Sequence, residues 1–269
     1  MEPAGMSEAI KKSYDAPRAV ESYGRNTTLL KAEDVILSYL SGELRDKAIL
    51  DIGVGGGRTV PYLTSLSQDY TGVDYSDSML KYCAEKYRDT KLLLCDARNM
   101  DVFEDGAFDA VFCCWNMLDD ANHADRCRML REIHRVLRQQ GRFIFSAHNL
   151  DFKRRSAYEF RGFVFAPDPF ELIKQNAVRL KRYFQGILNH LYHSRHEEHT
   201  PEYSIVNDPS HSFSLLTYYI RKENQVKQLE ALGFSDIQMV DEHGDFISLD
   251  YDCRDGWIYY IARKAAGQV

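Results

Sequence analysis

Asp51-Ile52-Gly53-Val54-Gly55-Gly56-Gly57-Arg58 is the stretch on which the reading of the whole chain turns. It closes the apolar run Ala48 to Ile52 and leads into a helical pattern that starts at Arg58. A strand-to-helix turn takes glycine where the backbone needs positive φ or where a ligand must approach the main chain, and the helix N-terminus beyond it offers unpaired amides. Such a turn suits the carboxylate, ribose or phosphate of a nucleotide-like ligand. Counted from Gly53, the dinucleotide fingerprint G-x-G-x-x-G asks for glycine or alanine at its sixth position, where this chain has Arg58. Asp51, two residues ahead of the first glycine, makes the pattern D-x-G-x-G-x-G instead and sets a carboxylate to face a cationic amino group.

Outward from the turn, short apolar runs alternate with helical patterns. Tyr70 to Asp74 is followed by a helix from Asp77, which stands in the N-cap position; then come Leu92 to Cys95, Phe108 to Cys114, a helix from about Ala124 to Gln139, and the strand Arg142 to Ser146. This alternation predicts a parallel sheet with crossover helices. An amphipathic helix through Leu29, Val35, Ile36, Tyr39 and Leu40 precedes it. The rhythm stops from Leu150 to His211, far longer than an ordinary connection, so an insertion is expected there. It resumes with Phe213 to Ile220, a helix through Val226, Leu229 and Leu232, then Ile237 to Val240 and Trp257 to Ala262.

On these motifs the chain resembles the class I S-adenosylmethionine-dependent methyltransferases, over roughly residues 45 to 150 and again from 213 to 264. Asp51, Gly53, Gly55 and Gly57 match that family's first motif, where the glycine turn meets the methionine part of the cofactor. Asp74, ending Thr71-Gly72-Val73-Asp74, matches the acid that accepts from both ribose hydroxyls, and Tyr75 and Met79 fall where the adenine is flanked. Cys95-Asp96-Ala97-Arg98 matches the motif after the third strand, with Asp96 taking the adenine amino group and the Ala97 amide serving a ring nitrogen. Cys114, Trp115 and Asn116 follow the fourth strand, facing cofactor and acceptor, and Tyr14 and Tyr23 lie in a segment similar to the N-terminal lid of small-molecule methyltransferases, though aromatic packing of a loose arm explains them equally.

The resemblance implies an α/β, Rossmann-like doubly wound sheet, mostly parallel with an antiparallel last strand, and a cap insertion after the fifth strand. Residues 1–46 would form a helical arm or lid, 47–150 the cofactor-binding core, 151–211 a substrate-covering insertion, and 212–269 the rest of the core sheet. The implied activity is methyl transfer from S-adenosyl-L-methionine to a nitrogen, with oxygen second, of a small metabolite. A methyltransferase for RNA or protein, or a non-catalytic cofactor-binding partner subunit, is the alternative.

His148 lies just past the fifth strand, at the carboxyl edge where open α/β sheets bind ligands, and is the candidate base; a solvated loop histidine is the other reading. Asn149, Tyr218 and Tyr219 are expected to touch the acceptor. His190, His193, His196 and His199 recur every third residue, but Pro201 and the tyrosine-rich flanks point to a hairpin with solvated imidazoles, and no metal is expected. Asp119 and Asp120 invite magnesium, yet adjacent acids ahead of a helix commonly serve its N-terminus. Lys153-Arg154-Arg155 reads as a solvated basic face or a site for an anionic acceptor.

Composition bounds these readings. A net charge of −6 argues against a surface made to hold a phosphate backbone, and 44% hydrophobic with 28% charged residues is an ordinary globular balance. The six cysteines show no paired spacing, which fits reduced thiols, and neither a spanning segment nor a secretory apolar core is evident. A cytoplasmic chain, a monomer or homodimer with no nucleic-acid or membrane partner, is the expectation.

Overall fold

The computed structural model describes residues 11–153, 156–160 and 162–266. Arg154 and Arg155 of the basic run, and the first ten residues of the expected arm, lie outside the described residues.

Strand β1 (Ile49–Ile52) is buried at all four positions, and its side chains divide between two cores: Leu50 and Ile52 pack on one face of the sheet and Ile49 on the other. A strand apolar on both faces belongs inside a parallel sheet covered by helices on both sides. β1 pairs in parallel with β2 (Tyr70–Asp74) and with β4 (Phe108–Cys113). β3 (Lys91–Leu94) lies beyond β2, and β5 (Leu137–His148) beyond β4, both parallel to their neighbours. β11 (Trp257–Lys264) runs antiparallel to β5 and to β9 (Phe234–Val240), and the short β10 (Phe246–Ile247) closes that edge. The order is β10-β9-β11-β5-β4-β1-β2-β3. This is the mostly parallel Rossmann-like sheet with an antiparallel late strand, and its order reverses between β1 and β4, which opens a crevice at their carboxyl ends.

Helix α1 (Pro17–Arg25) belongs to the N-terminal arm; helices α2 (Lys31–Leu44), α3 (Val60–Leu66) and α4 (Asp77–Lys86) bring Ile36, Leu40, Leu63 and Leu80 to one core, and α5 (His123–Val136) and α7 (Lys222–Ala231) bring Met129, Leu130, Ile133 and Leu229 to the other. Ser76, not Asp77, caps α4: its Oγ accepts from the Met79 N–H at 3.2 Å. α5 stops at Val136, short of Gln139, because Leu137 is wholly buried and already pairs with Phe108 of β4.

The insertion differs from its expected form. Asp168 caps a 25-residue helix, α6 (Pro169–His193), accepting from the Glu171 N–H at 2.8 Å. The Asp-Pro pair is a helix-start signal that the sequence reading passed over. β6 (Glu198–His199), β7 (Tyr203–Asn207) and β8 (Leu216–Ile220) form a separate antiparallel sheet. Of the stretch Phe213 to Ile220, Phe213 ends a 3₁₀ turn and Leu216–Ile220 pairs with residues 203–207, meeting the main sheet through a bridge from Ile220 to Asn149. The four histidines do not share a hairpin: His190 and His193 end α6, His196 sits in a 3₁₀ turn, and His199 is on β6.

Candidate active site

At the carboxyl ends of β1, β2, β4 and β5 lies a cavity of about 370 Å³. Of the residues named from the cofactor motifs, Tyr14, Tyr23, Asp51, Gly53, Gly55, Asp74, Tyr75, Met79, Asp96, Ala97, Cys114, Trp115 and Asn116 line it, and Gly57 does not: a Cβ there would lie 2.4 Å from the Tyr87 ring and 2.8 Å from Cys83 Sγ. His148 lines it as well.

Asp51, next to last in β1, is almost wholly buried. Thr59 Oγ1 and the Tyr70 hydroxyl both donate to its Oδ2, at 2.5 and 2.8 Å. Burial raises its pKa to about 6 against those hydrogen bonds, so the carboxylate gains from a cation placed beside it. Gly55 takes φ +52° and its N–H donates to Asp74 Oδ2 at 2.8 Å, while a Cβ there would meet nothing nearer than the Gly53 carbonyl at 3.8 Å. The turn thus leaves room for a ligand against its main chain. Gly56 answers a different need: a Cβ would lie 2.6 Å from Gly24 Cα, where the N-terminal arm crosses the loop. Asp74 Oδ1 accepts from the Ser76 N–H at 2.8 Å, and burial lifts its pKa against these two amide bonds.

Asp96 is engaged by a partner from its own motif. Arg98 donates through Nε and Nη2 to its carboxylate, at 3.0 and 2.6 Å, and through its main-chain N–H at 2.9 Å. Burial pushes the Asp96 pKa up, but Arg98 outweighs it and the net shift is downward.

After β4 the chain enters the left-handed region at two successive non-glycine residues, Trp115 (φ +61°) and Asn116 (φ +58°). Backbone strain of this kind persists where surrounding contacts hold it. Here Ser146 Oγ accepts from the Asn116 N–H at 2.8 Å, and the Arg58 guanidinium lies 4.8 Å over the Trp115 ring. The arm completes an aromatic cover: Tyr23 meets Trp115 edge-on at 5.4 Å, Tyr14 lies 5.5 Å from Tyr23, and the Tyr14 hydroxyl donates to Asp120.

His148 ends β5 within a polar chain. Its Nδ1 is 3.0 Å from Asp119 Oδ2, which also accepts from the His148 main-chain N–H at 2.6 Å. Asp119 is wholly buried, and its Oδ1 accepts from Arg126 Nε at 3.2 Å. With Nδ1–H donating to Asp119, Nε2 is the acceptor and faces the Asn116 Nδ2 at 3.3 Å. Burial lowers the His148 pKa, but the hydrogen bond and charge of Asp119 raise it more, so the net shift is upward. Asn116 Oδ1 is buried with no hydrogen-bond partner among the described residues.

The expected acceptor contacts fall elsewhere. Asn149 is buried and donates to the carbonyls of Cys253 and Asp255, at 3.0 and 3.1 Å, fixing the loop before β11. Tyr218 is wholly buried, its hydroxyl 3.0 Å from His123 Nδ1. The Tyr219 ring backs His148 at 4.9 Å and its hydroxyl donates to Asp208 at 2.7 Å. Thr217 is the β8 residue that lines the cavity, and among the described residues none of 151–211 does.

Three contributors escaped the sequence reading: Asp119 as the partner of His148, Thr217, and Arg58. Arg58, which had served only to weigh against a dinucleotide, is buried and bonded to Glu33 of α2 through both guanidinium nitrogens, one at 2.7 Å. A charged residue between the glycine turn and the start of α3 was the available signal. Arg58→Ala leaves a buried Glu33 to the Tyr259 hydroxyl and the Leu30 N–H, at 2.8 and 2.9 Å. Because those two donors remain, the expected loss is about 3 kcal/mol, near the lower end for breaking a buried pair, measured as a lower urea midpoint at unchanged m value. Among the described residues no group of three or more histidines, cysteines or acids is arranged to hold a metal, and no helix is long and apolar enough to cross a membrane.

Comparison with known proteins agrees with this geometry. Residues 50–145 match the family model described as a methyltransferase domain. Over these residues the chain is similar to methyltransferase domains. The chain is similar to a demethylmenaquinone methyltransferase of Thermotoga maritima, 30% identical over 145 residues, covering 51% of this chain and 57% of that one. An uncharacterized methyltransferase of Bacillus subtilis, YcgJ, is 29% identical over 134 residues, 48% of this chain and 51% of the relative. The chain thus spans about half the length of the curated relatives it matches. Among solved structures, the Burkholderia thailandensis 1,6-didemethyltoxoflavin-N1-methyltransferase, with bound 1,6-didemethyltoxoflavin and S-adenosylhomocysteine, superposes at TM-score 0.59, 16% identical, over 98% of this chain and 91% of that one. The CcbJ methyltransferase from Streptomyces caelestis does so at 0.61, also 16% identical, over 92% and 96%. At such identities these two speak for the fold of the methyltransferase domain.

Proposed function

We propose that the chain is an S-adenosylmethionine-dependent methyltransferase that moves a methyl group to a nitrogen or an oxygen of a small metabolite. One observation carries this reading: a single cavity gathers Asp51, the glycine turn and Asp74 together with His148, whose ring is held by the buried Asp119. Its volume of about 370 Å³ falls within the range of small-molecule sites, and a neighbour bound to 1,6-didemethyltoxoflavin supports an acceptor of modest size.

In this reading Asp74 accepts the ribose hydroxyls, Tyr75 and Met79 flank the adenine, and Asp96 with the Ala97 amide meets its polar edge. Asp51 faces the amino group beside the glycine turn. The cofactor supplies a methyl group on a sulfonium sulfur. Tyr14, Tyr23 and Trp115 keep water from the reacting atoms, which strengthens every polar contact inside. The acceptor needs a free lone pair when the methyl arrives, and a hydroxyl or a protonated amine must give up its proton. His148 Nε2 takes that proton, and Asp119 stabilises the imidazolium that forms.

Thermal unfolding tests the cofactor: S-adenosylhomocysteine at a hundredfold excess over Kd is expected to stabilise the chain by about 2.7 kcal/mol, several degrees in Tm, and NAD is expected to do nothing. Stabilisation by NAD alone would remove the reading. Incubation of the protein and labelled cofactor with a metabolite extract is expected to give a small labelled product; label found only in RNA or protein would replace the small acceptor.

A further inference from the structure

We infer that the outward face of α6 binds the same face of a second copy of this chain, antiparallel, about a twofold axis near Leu180. The helix is about 37 Å long at 1.5 Å per residue. Its inner face is already used: Gly186 is buried against Phe213, and Asn189 Nδ2 donates to the Ser212 carbonyl at 2.9 Å. Its outer face carries Phe170 at 74% exposure, Ile173 at 70%, Leu180 at 36%, Phe184 at 58%, Leu188 at 61% and Leu191 at 59%, with Ala177 exposed among them. These positions recur at steps of three or four residues, which lays them along one stripe. None of them lines the cavity, so the stripe has no role in the site above.

The stripe complements itself in size. Turned antiparallel about Leu180, Phe170 meets Leu191 of the other copy, Ile173 meets Leu188, and the small Ala177 meets the large Phe184. It also complements itself in charge. Asp168 and Glu171 at the start of the helix come opposite His190, His193 and Arg195 at the end of the other copy, and the two helix dipoles oppose. With about 150–200 Å² in a fully exposed side chain of this size, the six large residues offer on the order of 600 Å² per copy, or about 1,200 Å² in a symmetric pair, the lower bound for a stable interface. Lys174, Arg179, Lys181 and Arg182 give the helix a basic flank, the composition of a helix that lies on an anionic membrane. The fit of large against small and acid against base favours the second copy.

Light scattering on the full chain during gel filtration at tens of micromolar is expected to give the mass of two chains. The double substitution Ile173→Glu with Phe184→Glu is expected to give one, with the far-ultraviolet circular dichroism of the parent as proof of folding. Leu180→Cys is expected to form an interchain disulfide under mild oxidation above the background of the unsubstituted chain. Phe170→Cys is expected to cross-link when mixed with Leu191→Cys and not by itself. A chain that is monomeric, a double variant that stays dimeric, or a monomer that sediments with phosphatidylglycerol vesicles would each overturn the inference; a dimer without the Leu180→Cys cross-link would overturn the antiparallel register.

Discussion

Replacing His148 by alanine is expected to lower kcat by about 10²–10⁴-fold for an acceptor that must shed a proton, the usual worth of a positioned base. The affinity for S-adenosylhomocysteine is expected to change little, because the groups assigned to the cofactor stay in place. The argument rests on orientation: Asp119 Oδ2 takes both the main-chain N–H and Nδ1 of His148, at 2.6 and 3.0 Å, so the ring presents Nε2 as its basic atom. The pH dependence tests the role beyond mere packing. A base works when neutral, and the net raised pKa of His148 sets the acid limb of the rate profile above 6.5, so activity is expected to rise as pH climbs through it. Asp119→Asn withdraws the charge that raised the pKa most and leaves only the charges of Asp208 and Asp120 to oppose burial. The limb is then expected to move to lower pH while the plateau falls. Full kcat in His148→Ala, or an unmoved limb in Asp119→Asn, would end the base assignment.

Asp74→Ala is expected to weaken S-adenosylhomocysteine binding by about 10²–10⁴-fold, two hydrogen bonds to a charged group at about 1.5–3 kcal/mol each, as read by titration calorimetry. The substitution also frees the Gly55 and Ser76 amides that Asp74 holds at 2.8 Å, so part of the loss comes from a looser turn. Asp74→Asn keeps the shape and one acceptor oxygen, and an intermediate loss is expected. Unchanged affinity in both variants would take the ribose contact away from Asp74. Asp51 adds a pH signature to the same titration. Burial, opposed by Thr59 and Tyr70, puts its pKa at about 6 in the free chain, so below that pH the carboxyl is protonated and must lose its proton to pair with an ammonium group. Affinity is expected to fall as pH drops through about 6, by up to tenfold per unit, and Asp51→Asn is expected to flatten that fall.

The glycine turn, the acids at the ends of β1 and β2, and the alternation of strands and helices were legible in the sequence because each is a local signal: a period, or a residue type at a strand end. In a doubly wound sheet those ends converge on one edge whatever the loops do, and so Asp51, Gly53, Gly55, Asp74 and Asp96 share a cavity. Other features depend on contacts between distant segments, which no local pattern encodes. Glu33 reaches Arg58 from another helix, and Asp119 reaches His148 from the turn after β4. On β8 a shift of one residue exchanges the faces of a strand, so Thr217 lines the cavity while Tyr218 is buried against His123. The insertion followed the same rule. Its composition marked it as an added segment, but only tertiary packing decided that the apolar stripe of α6 faces outward, because the helix's other face was taken by the turn at Ser212 and Phe213.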